Sequence, residues 1–149
     1  MSELFSLLKD FDIANILPEM SEYVRQLVGW MRVLLLAGPL VMAGMGVWFY
    51  FAPPKAPNYS VGFRTKWSMT SLAAWRYAQR QSGMIYMILG GSLAVIVFLL
   101  SLLFGALSPV GMAVITLLCV IAEAVLAVLA YLLVEKLLRK HFDAYGDRI

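Results

Sequence analysis

Three long apolar runs constrain this chain more than any other feature: residues 33–51, 84–107 and 111–134. The first two carry no charge, and only Glu123 interrupts the third. A bilayer core of about 30 Å is crossed by about 20 apolar residues in helical form. Backbone N–H and C=O groups find no partner in lipid, so uninterrupted runs of this length read as helices. Composition agrees. The 149 residues are 62% hydrophobic and 14% charged, with a mean hydropathy of +0.81, whereas soluble domains are about half apolar and about a quarter charged. The expected fold class is all-α, an integral membrane bundle of three transmembrane helices. An amphipathic N-terminal helix and a short helix in the cytoplasmic loop are expected to accompany it.

The organisation expected from these runs has three parts. Residues 1–32 form an amphipathic segment leading into the first span, 33–134 a three-span membrane domain with a loop at 52–83, and 135–149 a basic tail. In the first part Leu4, Leu8 and Phe11 alternate with Lys9, Asp10 and Asp12, a pattern suited to a membrane surface. Pro18, followed by Glu19 and Glu22, is a favourable helix start. The opening MSELFSLLKDFD has acids where a signal peptide has bases. Gly38-Pro39 predicts a kink in the first span, and Pro53-Pro54 its end. The short link at 107–110 makes spans two and three an antiparallel hairpin.

Orientation follows from counting Lys and Arg. The loop holds Lys55, Arg64, Lys66, Arg76 and Arg80, the tail holds Lys136, Arg139, Lys140 and Arg148, and the 107–110 link holds none. Two spans separate loop from tail, so both lie on one side. The positive-inside rule makes that side the cytoplasm and puts the N-terminus outside.

The segment 58–83 combines these cations with Tyr59, Phe63, Trp67, Trp75 and Tyr77, and it lacks any acid. Such residues commonly anchor a span at the headgroups and touch anionic lipid, the role expected of Lys66, Arg76 and Arg80. From Leu72 to Ser82 the pattern is helical, and Gly83 reads as a stop before span two. Gly62 suits a backbone conformation closed to other residues. The order of residues says more than the composition. Asn58, Gly62, Arg64, Thr65, Ser68, Ser71, Trp75, Ala78 and Gly83 follow N-x3-G-x-R-T, a Ser-containing spacer, W-x2-A and a short run into a membrane helix. This resembles the signature of the SdpI/YfhL family of small bacterial membrane proteins.

The resemblance implies a multi-pass protein of the bacterial inner membrane. It also implies immunity to a secreted peptide toxin or signalling of its presence, with the toxin or a soluble regulator as partner. The spans that precede the signature in the best-known member are replaced here by the amphipathic segment, which weighs against the signalling role and leaves a compact single-domain immunity role open. A homo-oligomer is compatible with these features, and nucleic acid is not an expected partner.

Glu123 lies near the middle of span three. An ionisable residue at that depth costs several kcal/mol unless it is neutral, paired or hydrated. Thr116, Cys119, Ala127 and Ala130 share its helix face and predict an interior stripe. Its alternatives are a hydrogen bond to Ser92 or Ser101, an ion pair with a loop arginine, or a proton-linked site in a small transporter or accessory subunit. A third functional class is a structural subunit that docks a partner through arginine. Cys119 is alone, so no intrachain disulfide forms. His141 has no second His or Cys near it, which argues against a metal and for a solvated tail residue. No P-loop, dinucleotide fingerprint or nucleophile elbow is present, and neither a cofactor nor enzymatic activity is expected.

Overall fold

A computed structural model describes the backbone of residues 13–149, with side chains for 22–108 and 110–149. The chain forms three long helices, α1 (Ile13–Phe51), α2 (Leu72–Ser101) and α3 (Pro109–His141), with a 3-10 turn at Leu102–Ala106. All three are long and apolar enough to cross a membrane. Their outer faces carry Leu34, Val41, Ile88, Leu99, Leu117, Ile121, Val128 and Leu132, all exposed. So much contiguous apolar surface would be untenable in water and is the normal outer face of a bundle in lipid.

α1 is already helical at Ile13, ahead of the start expected at Pro18, and continues unbroken through the buried Pro39. The amphipathic pattern expected within residues 2–17 lies outside the residues whose side chains are described. The separate loop helix is corrected. Ser71 caps α2 by accepting from the Ala74 N–H at 3.1 Å, and the helix runs from Leu72 through Gly83 into the membrane. Gly83 does not stop it, because its missing side chain serves packing: a Cβ there would lie 2.5 Å from the Tyr50 amide nitrogen.

The same device recurs along the α1–α2 seam. A Cβ on Gly90 would lie 2.5 Å from the Ala43 nitrogen, and one on Gly46 would strike the Met87 backbone. With no hydrophobic drive between helices in lipid, small residues that allow backbones to approach are what hold such a pair. α3 is attached chiefly at its two ends. At one end Leu35, Val97, Phe104 and Met112 form a buried cluster, and Arg32 Nε donates to the Ser101 carbonyl at 3.2 Å. At the other, Phe63 from the loop packs with Ala74, Ala78, Val134, Leu138 and Phe142. Ser108 caps α3 through the Gly111 N–H at 3.2 Å.

Candidate functional site

The loop is a folded clasp built almost entirely on its own backbone. Asn58 Oδ1 accepts from the amides of Ser60 at 3.0 Å and Val61 at 2.8 Å, an Asx turn that reverses the chain after the prolines. Gly62 follows with φ +124°, a conformation that favours glycine. A Cβ there would also lie 2.8 Å from the Trp75 ring. Thr65 and Ser68 cap each other: the Thr65 N–H donates to Ser68 Oγ at 2.8 Å and the Ser68 N–H to Thr65 Oγ1 at 3.1 Å. Ser68 is wholly buried and its hydroxyl lies 2.9 Å from the Phe63 carbonyl.

Trp75 is also wholly buried, and its indole Nε1–H donates to the Pro54 carbonyl at 2.8 Å, tying the exit of α1 to the start of α2. Ala78 faces the clasp core beside Phe63. Arg64 is exposed and donates to the Tyr59 carbonyl. The structure thus gathers Asn58, Gly62, Arg64, Thr65, Ser68, Ser71, Trp75 and Ala78 into one unit, with Gly83 farther along α2 on the helix seam.

Gln79 is the hub that the sequence pattern does not single out. Its Oε1 accepts from the Phe63 N–H at 2.8 Å and its Nε2 donates to the Phe63 carbonyl at 3.1 Å, so one buried amide pairs with both backbone groups. The only local signal was a polar residue one helical turn after Trp75 on the same flank.

The C-terminal residues join the clasp rather than hanging free. Ser71 Oγ donates to the Gly146 carbonyl at 2.7 Å, and Asp143 Oδ1 accepts from the amides of Tyr145 and Asp147 at 2.9 and 2.8 Å. His141 is half-buried in the last turn of α3, 3.2 Å from the Tyr77 hydroxyl, which corrects its expected place in a solvated tail.

Lys66, Arg76 and Arg80 are exposed. Arg76 and Arg80 line a cavity of about 390 Å³ with Tyr50, Pro53, Pro54 and Lys55, a recess with three cations and no acid. The Arg80 guanidinium also sits 5.6 Å above the Tyr50 ring.

Glu123 lies apart from the clasp, in the gap between the two buried clusters. Of its stripe, Thr116 and Ala130 are buried and Cys119 half-buried, while Ala127 is exposed at the edge of that gap. The expected serine partners are corrected. Ser92 donates to the Leu89 carbonyl and Ser101 to the Phe98 carbonyl, each within α2. No loop arginine reaches it either: the one ion pair among the described residues is Arg139–Glu135 at 3.1 Å. No cluster of potential metal ligands occurs among the described residues.

A family model described as the SdpI/YfhL protein family matches residues 55–133, more than half of the chain. The match takes in the loop part of the clasp, α2 and α3 past Glu123. No curated protein and no solved structure matches.

Proposed function

The chain belongs to the SdpI/YfhL protein family, and from that premise we propose that it protects a bacterial cell against a membrane-active peptide toxin. The observation that carries this reading is that the clasp's buried polar groups, those of the motif and Gln79, are engaged within the chain. Gln79, Thr65, Ser68 and the Trp75 indole all close on loop carbonyls, amides or each other. The motif therefore holds the helices together and is not an open set of reactive groups awaiting a substrate. The protein acts by binding rather than catalysis, through the bundle that the clasp fixes in the bilayer. In this reading it is a multi-pass protein of the inner membrane, with clasp and C-terminus in the cytoplasm.

Expression in a sensitive bacterium, challenged with a panel of membrane-active bacterial peptides, should raise survival against at least one of them. Killing equal to the empty-vector strain across the panel would sink the proposal.

The three-cation recess between Lys55, Arg76 and Arg80 supports anionic lipid as a partner at the headgroup level. Native mass spectra of the purified protein should retain phosphatidylglycerol. A double change of Arg76→Ala and Arg80→Ala should remove most of it, and equal retention would reassign the recess to simple solvation.

A further inference from the structure

We propose that the gap around Glu123 is a binding site for an apolar molecule carrying one protonated amine. The gap is a cavity of about 480 Å³ between α1, α2 and α3, bordered by Pro39, Met42, Met45, Tyr86 and Glu123. Val41 and Met45 on its rim are exposed on the outer face, so it opens sideways toward the lipid. Glu123 is the only ionisable carboxyl on its wall.

Two observations make this carboxyl more than a packing residue. Glu123 Oε1 is shut off from the surface and has no hydrogen-bond partner. Gly38, on the facing helix, leaves the space that Oε2 occupies: a Cβ there would lie 2.5 Å from that oxygen. The helix pair thus accommodates a carboxyl group and then gives it nothing to bond. A buried acceptor left in that state is unfavourable, and more so when charged.

Charge complementarity selects the occupant. A carboxylate is an acceptor only, so it calls for a cation with N–H donors. None of the described cations of the chain pairs with it: the one ion pair among the described residues is Arg139–Glu135, and Arg32 donates to the Ser101 carbonyl. Around the acid the wall is aliphatic, thioether and aromatic, which suits a compact hydrocarbon body. The occupant is therefore an amine with an apolar frame, entering from the bilayer. This site is independent of the protective role, since a chain can bind an amine without conferring survival, and the reverse.

The test is saturable binding of tritiated 1-aminoadamantane to the full chain in lipid nanodiscs, with empty nanodiscs subtracted. Binding should be saturable, and Glu123→Gln should weaken it about tenfold or more. Gly38→Ala should weaken it as well, by displacing the carboxylate. On the wild-type protein, 1-adamantanol has the same cage without the charge and should compete about tenfold less well. That comparison decides the matter even if the Glu123 variant does not fold. Absence of saturable binding, equal affinity in a folded Glu123→Gln protein, or equal competition by the alcohol would each overturn the proposal.

Discussion

Trp75→Ala is expected to destabilise the clasp by about 3–5 kcal/mol, the range for removing a large buried aromatic. The side chain is wholly buried, fills the space left open by Gly62, and donates to the Pro54 carbonyl. Its loss opens a cavity and orphans a carbonyl together. Gln79→Leu should act through a different route. Ser68 still reaches the Phe63 carbonyl in that variant, so the group left bare is the Phe63 N–H. An unpartnered buried donor of this kind costs about 1–3 kcal/mol. Arg64→Ala removes one exposed hydrogen bond and should change little. Thermal unfolding of the purified proteins in one detergent ranks the three. A Trp75→Ala protein that melts with Arg64→Ala would show that the clasp does not hold the bundle.

The second large effect is expected at the α1–α2 seam. Gly46→Ala places a methyl against the Met87 backbone, which has no rotamer to yield, so the helices must separate along their length. Overpacking costs about 1–3 kcal/mol and occasionally more. A backbone collision belongs at the upper end. Gly44→Ala is the internal control. Nothing lies within 4 Å of a Cβ at Gly44, and replacing helical glycine by alanine by itself favours the helix by about 1 kcal/mol. The fraction of protein surviving a heat step before size-exclusion chromatography should fall for Gly46→Ala and hold or rise for Gly44→Ala. Equal survival of the two would remove the seam from the account.

The spans were legible in the sequence because length and apolarity are local properties that lipid enforces directly. The motif was legible as an order of residues, and Gly62 as a special backbone position. Gly83 was misread because a glycine at a polar-to-apolar boundary looks the same whether it ends a helix or lets another helix touch it. Only the position of Tyr50 distinguishes the two. Gln79 was invisible for a related reason. Its partner, Phe63, lies sixteen residues away and is reached through backbone atoms that leave no mark on residue identity. Glu123 stood out, but its surroundings did not. The expected serines bond carbonyls of their own helix, as membrane serines can without any tertiary partner.

The clasp also has an electrical consequence. It sets the positive end of α2 beside the negative end of α3, where Tyr77 meets His141. In a medium of low permittivity these opposed macrodipoles largely cancel. The negative end of α3 also carries Arg139, Lys140 and His141 in its last turn. Part of the tail's basic charge therefore also serves as a counterweight to the negative end of α3.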